Sequence, residues 1–488
     1  MKNPNAGEGT MLKTKIVCTL GPASNSTEMI EKMAKAGMNV ARLNFSHGTH
    51  EEHAEVIARI KEVRERLAVP LAILLDTKGP EIRLGTFEGG SAMLETGSSF
   101  TLTTGNIEEP GNASHCAITY RDLPRQVEPG YAILLNDGII ELNVREVTED
   151  SIVCEVIAGG EIRNGKGVNV PNVPLDMPHL SEKDKGDLLF GIAQDVDFVA
   201  ASFVRRAEDV RGMRKFLDYH SGHDIRIISK IENTEGIENF DEILKYSDGI
   251  MVARGDMGVE VDFERLPGLQ KRFIKKCYQA GKMVITATQM LESMIENPTP
   301  TRAEISDVAN AVFDGTSAIM LSGETAVGRY PLRAVRAMAK IAEQAENDAF
   351  AMDAYGSMNY EIDYTDITNA LCDAACTTAN DIKAKAIITL TTSGKSARRM
   401  SKFRPVQPIV AATPRIKTLH QLALSWGVYP VLSRVQESLD DLFRHAIDCA
   451  KQDDIVFSGD IVVIAAGTPV LTPGNTNILK VESVRGND

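Results

Sequence analysis

Ile225-Arg226-Ile227-Ile228-Ser229-Lys230-Ile231-Glu232 is followed, one short segment later, by Gly249-Ile250-Met251-Val252-Ala253-Arg254 and then Gly255-Asp256. Both are near-continuous apolar strings that close on charged residues, the pattern of strands buried on both faces of a parallel sheet. Six more such strings occur, at Lys15–Leu20, Asn39–Phe45, Leu71–Thr77, Phe198–Phe203, Met283–Gln289 and Ser317–Ser322. Between them, segments such as Thr27–Ala36, Glu51–Leu67 and Arg265–Gly281 carry apolar residues at helical spacing. Eight strand–helix units predict an α/β fold built on a (β/α)8 TIM barrel.

The pattern breaks after Pro80. From Ser91 to Val173 it becomes short alternating stretches, including Ser99–Thr103 and Ile139–Val147. Asn136-Asp137-Gly138 reads as a hairpin turn, because those residues take positive φ at little cost. An all-β domain is therefore expected between barrel strands three and four, hinged at Gly79-Pro80 and Pro171–Pro178. After Asp348, strand-like Ala386–Leu390, Pro408–Ala412, Val428–Leu432, Asp460–Ala465 and Asn477–Val484 alternate with mostly helical stretches, an α/β open-sheet pattern. The expected division is a flexible N-terminal segment at 1–10, a (β/α)8 barrel at 11–80 and 178–347, an inserted β domain at 81–177, and a C-terminal α/β domain at 348–488. A length of 488 residues suits roughly three domains.

A hydrophobic fraction of 43% against 25% charged residues is that of a globular chain able to build a full core. The net charge of −14 argues against general nucleic-acid binding, which rests on Lys and Arg neutralising phosphates. It leaves room for a local basic cluster that takes an anionic substrate. Seven cysteines are scattered along the chain; Cys372 and Cys376 stand four apart with no His nearby, so all are expected to be reduced structural thiols. Met1–Thr10 lacks the apolar core of a signal peptide, and no apolar run nears the roughly 20 residues of a membrane span. A cytoplasmic protein with no membrane partner is expected.

The C-terminal strand ends of a (β/α)8 barrel line its active site. Those ends carry Arg42, Asn44, Ser46 and His47 after strand two, and Asp76, Thr77 and Lys78 after strand three. Lys230 and Glu232 close strand five, Arg254-Gly255-Asp256 follows strand six, Thr288 lies on strand seven, and Ser322 and Glu324 follow strand eight. Glu232 and Asp256 suit a shared hard cation such as Mg²⁺ (or Mn²⁺), which takes one or two carboxylates plus water and substrate oxygens. A helix cap or an Arg pairing is the structural alternative for each. Lys230 offers a compact charge to a transferring phosphoryl group, or a structural partner to Glu232. Backbone N–H groups of Gly255-Asp256-Met257-Gly258 are placed to accept a substrate carboxylate. Asn44, Ser46, Asp76 and Thr77 supply oxygen ligands with one formal charge between them, which suits a monovalent cation, Mg²⁺ or an ordinary hydrogen-bonded network. On these residues alone the chain reads as a metal-dependent enzyme.

The same residues stand in strings that resemble the pyruvate kinase family: Ala41-Arg42-Leu43-Asn44-Phe45-Ser46-His47-Gly48, Asp76-Thr77-Lys78-Gly79-Pro80-Glu81-Ile82-Arg83, Ile228-Ser229-Lys230-Ile231-Glu232-Asn233, Met251-Val252-Ala253-Arg254-Gly255-Asp256 and Ala287-Thr288-Gln289-Met290-Leu291-Glu292-Ser293-Met294. The match continues from Pro300-Thr301-Arg302-Ala303-Glu304 to Met320-Leu321-Ser322-Gly323-Glu324-Thr325 and covers nearly the whole chain in the family's domain order. It implies transfer of the phosphoryl group of phosphoenolpyruvate to ADP, giving pyruvate and ATP in the last step of glycolysis. It also implies roles: Arg42 binds the phosphoryl group, Lys230 stabilises its transfer, and Glu232 and Asp256 hold Mg²⁺. Asn44, Ser46, Asp76 and Thr77 hold K⁺, while Gly255, Asp256 and Thr288 meet the substrate, Thr288 ordering protonation of the enolate through water. Asn44, His47, Arg83 and, from the inserted domain, Lys166 contact the nucleotide. Glu81 is the residue type of K⁺-requiring members, so K⁺ dependence is expected.

Thr391-Thr392-Ser393-Gly394-Lys395-Ser396 joins a strand to a helix start and is rich in anion-binding donors. In the family this loop binds the phosphate of an allosteric effector, so a phosphorylated sugar or nucleotide effector is expected. Gly467-Thr468-Pro469 lacks the aromatic residue that follows this glycine in the animal effector-sensitive pattern, which leaves the effector's identity open. With the chain ending at Asp488, the extra C-terminal domain of some bacterial members is not expected, and a homotetramer is. Two rivals remain: a carbon–carbon lyase on the same barrel, which needs neither lid nor K⁺ cluster, and a silent sugar-phosphate sensor, which needs none of Lys230, Glu232 and Asp256.

Overall fold

The computed structural model describes residues 11–173, 175–355, 365–435, 438–467 and 476–485. The segment 1–10, Pro174 of the second hinge, and Thr468 and Pro469 of the effector pattern lie outside them. Eight parallel strands close into a barrel: β1 (Lys15–Thr19), β2 (Met38–Asn44), β3 (Ala72–Asp76), β4 (Phe198–Ala201), β5 (Arg226–Ile231), β6 (Gly249–Ala253), β7 (Met283–Ala287) and β8 (Ala318–Leu321). Every predicted string overlaps its strand, β2 alone starting one residue early at Met38, and each strand stops one or two residues before the predicted end. Two of these ends have a visible cause. Phe203 (φ 54°), Thr288 (φ 68°) and Gln289 (φ 54°) adopt left-handed backbone, which breaks the pleat after β4 and β7.

Successive side chains on a strand face opposite ways. Val17, Val40, Leu74, Ala200, Ile228 and Met251 fill the barrel interior, while neighbours such as Ile16, Ala41, Leu75, Val199 and Ile227 pack under the helices. Thr19, Arg42, Asp76, Ser202 and Lys230 each stand two residues beyond an inward apolar side chain, so the same alternation aims all five at the barrel axis. From the opposite end Ala423 and Leu424 of the C-terminal region join the interior cluster and plug the barrel. Helices that return the chain around the barrel start on capping boxes, Thr49/Glu52, Ser181/Asp184 and Thr301/Glu304.

Between β3 and β4 the chain forms a seven-stranded sheet ordered Ile82–Arg83, Gly167–Asn169, Ala132–Leu135, Ile140–Val147, Ser151–Ala158, Ser99–Thr103 and His115–Ala117, with a core of its own. Asn136, Asp137 and Gly138 all have positive φ and turn the hairpin there. The C-terminal sheet runs Val428–Leu432, Ile409–Thr413, Ala386–Leu390, Ile461–Ala466 and Ile478–Ser483, parallel except for the last strand. No described helix is long and apolar enough to cross a membrane. The seven cysteines are free and buried, and burial pushes each thiol above its ordinary range, which makes them packing residues.

Candidate active site

Two cations and two carboxylates interlock at the C-terminal mouth of the barrel. Asp76 is 1% exposed; its Oδ2 accepts from Arg42 Nε at 2.6 Å and its Oδ1 lies 3.2 Å from Lys230 Nζ. Lys230 also donates to Ser202 Oγ at 2.7 Å and pairs with Glu232 Oε1 at 2.9 Å, so its three protons are all engaged. Ser202 Oγ in turn donates to the Thr77 carbonyl at 2.7 Å, and Arg42 Nη1 donates to Thr19 Oγ1 at 2.8 Å. Burial alone would raise the Asp76 carboxyl, but Arg42 and Lys230 outweigh it and hold it below the usual carboxylate range. Burial also works against the Lys230 ammonium; Asp76 and Glu232 outweigh it and hold that pKa above the ordinary lysine value.

Glu232 is in the opposite position. Burial pushes it up to about 7, Lys230 opposes this, and Asp256 adds to it. Its Oε2 accepts the Phe203 N–H at 2.5 Å. Asp256 takes no hydrogen bond or ion pair from the described residues, so neither a helix cap nor an Arg pairing occupies it. Glu232 thus shares a fully engaged lysine with Asp76, and Asp256 has no cation paired with it among the described residues. That surplus negative charge fits a divalent cation held by two carboxylates, with its other positions left to water and substrate. No group of three or more His, Cys, Asp or Glu side chains placed to hold a metal occurs among the described residues.

Thr288 closes the other side of the mouth. Its hydroxyl donates to its neighbour's carbonyl, Ala287 O, at 2.6 Å and accepts from Gly255 N at 2.7 Å. Positive φ at a β-branched residue is strained, and buried Arg254 holds it by donating to the Thr288 carbonyl at 2.6 Å while Asp307 anchors the guanidinium at 2.7 Å.

Two family models match the chain, "Pyruvate kinase, barrel domain" over residues 11–335 and "Pyruvate kinase, alpha/beta domain" over residues 369–482. The chain belongs to the pyruvate kinase family. As a member it is a phosphotransferase, which sets the lyase reading aside. The pyruvate kinase of Clostridium acetobutylicum is 50% identical over 478 residues, 97% of this chain and 100% of that protein. That of Staphylococcus haemolyticus is 49% identical over 479 residues, 97% of this chain and 81% of that protein. That of Geobacillus stearothermophilus is 49% identical over 474 residues, 97% of this chain and 80% of that protein.

Within this pyruvate kinase frame the structure gathers Arg42, Asp76, Lys230 and Glu232 into one network and sets Asp256, Gly255 and Thr288 around the same mouth. Asn44 lies beside Asp76 in the β2–β3 register and accepts the Ser46 N–H at 3.1 Å. His47 stands exposed on the barrel rim. Arg83 ends an edge strand of the inserted sheet and Lys166 immediately precedes the adjacent strand Gly167–Asn169, Arg83 pairing with Glu81 at 2.7 Å and donating to Gly165 O. Thr391–Ser396 follows the strand Ala386–Leu390, where the order of the C-terminal sheet reverses, the usual ligand crevice of an open α/β sheet. There Gly394 has φ 76°, its N–H donates to Thr391 Oγ1, and Lys395 is exposed. Glu324 is taken up by the backbone N–H groups of Leu291 and Ser322 and serves the loop instead of the site. Sequence reasoning missed Thr19, Ser202 and the Arg254 brace. The first two were findable, since each stands two residues past an inward apolar residue on its strand.

Proposed function

We propose that this pyruvate kinase moves the phosphoryl group of phosphoenolpyruvate to ADP at the barrel mouth, in the cytoplasm, with Mg²⁺ held by Glu232 and Asp256 and K⁺ by Asn44, Ser46, Asp76 and Thr77. The observation that carries the reading is the surplus of negative charge at Glu232 and Asp256 beside a compensated Arg42–Asp76–Lys230 network. When bound, the divalent ion would neutralise substrate and phosphoryl oxygens. Arg42 keeps Nη2 without a described protein partner and would bind the phosphoryl group with it. Lys230 stays protonated through neutral pH, so it serves as a fixed charge for the transferring group and not as the acid that protonates the enolate. To reach a phosphoryl oxygen it would release its longest bond, 3.2 Å to Asp76 Oδ1, whose carboxylate remains on Arg42. Thr288, fixed by Gly255 and Arg254, would order the water that delivers the proton to the enolate carbon.

Asp76 has its charge balanced by Arg42 and Lys230, which leaves the K⁺ ligands nearly neutral and suits a monovalent ion. Taking the barrel as 11–80 and 178–347 and the lid as 81–177, the lid would bring Arg83 and Lys166 over the nucleotide and exclude water. A cavity of 270 Å³ separates the two bodies, lined by Asp256 and Glu260 below and Asp137 and Asn169 above. The C-terminal domain, 348–488, would take a phosphorylated effector at Thr391–Ser396. A homotetramer is supported by exposed Phe263 and Val327 on the barrel and by the strand Ile478–Ser483, which pairs on one side only among the described residues.

The test is ATP formation from phosphoenolpyruvate and ADP with Mg²⁺, with and without K⁺. ATP that depends on both ions is expected. No ATP under either condition would overturn the proposal, and equal rates would remove K⁺ alone. Lys395→Ala should blunt activation by sugar phosphates; unchanged activation curves would detach the loop from regulation.

A further inference from the structure

The four residues that follow β4, Ser202 to Arg205, touch both connections of the inserted domain and both charged groups of the phosphoryl-transfer centre. On the first connection, Gly79 (φ 71°) packs so closely that a Cβ would lie 2.9 Å from Ser202 Cβ and 3.0 Å from the Phe203 ring and the Ser202 carbonyl. On the second, the Arg205 guanidinium donates to the carbonyls of Leu175 and Met177. Asp176, between them, faces the other way: its N–H donates to Gln126 Oε1 at 2.9 Å and its carbonyl accepts from the Tyr120 hydroxyl at 3.1 Å. Alternation along extended backbone thus gives odd-numbered carbonyls to the barrel and the even-numbered residue to the lid.

Arg205 is itself fixed. Its N–H donates to Asp209 Oδ2 at 2.9 Å, its carbonyl accepts from Asn239 Nδ2 at 3.1 Å, and its side chain is only 9% exposed. At the other end of the loop, Ser202 accepts from Lys230 and the Phe203 N–H holds Glu232, with Phe203 in left-handed backbone.

We infer that Arg205, at the end of this loop, is the positioning residue that sets the lid angle by clamping the hinge at Leu175 and Met177. The inference rests on the lid reading of the inserted domain. A planar fork is what two carbonyls on one extended segment require, and a lysine in its place presents a single point charge. Loss of the clamp frees the hinge, so only a fraction of molecules present the lid to the nucleotide, and the rate falls by that fraction. Steps that need only the barrel mouth are spared.

The test compares two reactions in full-length protein. One is ATP formation from phosphoenolpyruvate and ADP. The other is exchange of pyruvate methyl protons with D₂O in the presence of Mg²⁺, K⁺ and inorganic phosphate, which uses the barrel mouth without nucleotide. Arg205→Met should lower kcat for ATP formation by about tenfold while exchange stays within about twofold of wild type. Arg205→Lys should recover only part of the loss. Gln126→Ala, which frees the same hinge from the lid side and is remote from the charged network, should give the same split with a smaller amplitude. Exchange falling in step with ATP formation in both variants, or ATP formation unaffected in both, would overturn the inference. Absence of ATP formation in the wild type would instead strike the kinase reading.

Discussion

At the N-terminal end of the barrel, Asp197 accepts the Ile73 N–H at 2.8 Å and lies 3.4 Å from Arg64 and 3.6 Å from Lys417. Lys417 also reaches the carbonyls of Asp195 and Val196, and Gln421 donates to the carbonyls of Asp197 and Asp224. At the C-terminal end, Glu232 shares Lys230 with Asp76, and Asp256 has no partner among the described residues. Both ends bury charge, but only one leaves it unbalanced. Below, Arg64 of the barrel and Lys417 of a second domain both face the carboxylate, so the charge serves docking and stability. Above, an open cavity meets a surplus carboxylate, so the charge is available to a ligand. The same fold separates stability from chemistry by what closes each end.

The strongest break in this comparison is Lys230→Met. Phosphoryl transfer should fall on the order of 10³-fold, as when a preorganised charge is taken from a transition state, while circular dichroism reports a folded chain. A variant with near-normal kcat would return Lys230 to a structural role. At the other end, Lys417→Met should cost stability, about 1–3 kcal/mol for a buried carboxylate and carbonyls left short of a donor, with basal activity kept. Unchanged thermal unfolding would show that the domains are not held there.

His420, beside Lys417 and buried with Nδ1 unpartnered among the described residues, sharpens the same point. Burial, with Arg64 and Lys417 adding, holds its imidazole down to about 3 against an ordinary 6.5. The unfolded chain takes up a proton below pH 6.5 and the native chain does not until about 3, so this contribution is complete above pH 6.5 and is lost as pH falls toward 3. His420→Gln should therefore flatten the acid limb of the stability profile; an unchanged limb would assign it to other groups. The smallest effect is expected at Asp256→Asn, which should leave thermal unfolding within about 0.5 kcal/mol of wild type because nothing described leans on that carboxylate.

Much of this was legible in the sequence, for stated reasons. Strands buried on both faces read as apolar strings, and period-two alternation then aims Arg42, Asp76 and Lys230 inward, so charge at the end of an apolar string marks the site. Ser202 and Thr19 obey the same rule but are uncharged, and a lone hydroxyl stands out only once its partners are known. The Arg254 brace depends on left-handed backbone at Thr288, which a threonine does not advertise. Lys417 and Asp197 are more than two hundred residues apart, and nothing local announces that a helix of one domain will seal the barrel of another. The clamp at Arg205 was hidden because it rests on backbone carbonyls of the hinge, which no side chain there announces.

The most direct measurement is Mn²⁺ binding followed by electron paramagnetic resonance on wild type, Glu232→Gln and Asp256→Asn, with Mg²⁺ as competitor. One Mg²⁺-displaceable ion per chain is expected in the wild type, with affinity weakened by about tenfold or more in each variant, ~1.4 kcal/mol at the least. Equal affinity in all three proteins would contradict the assignment of the surplus charge at the barrel mouth to a metal.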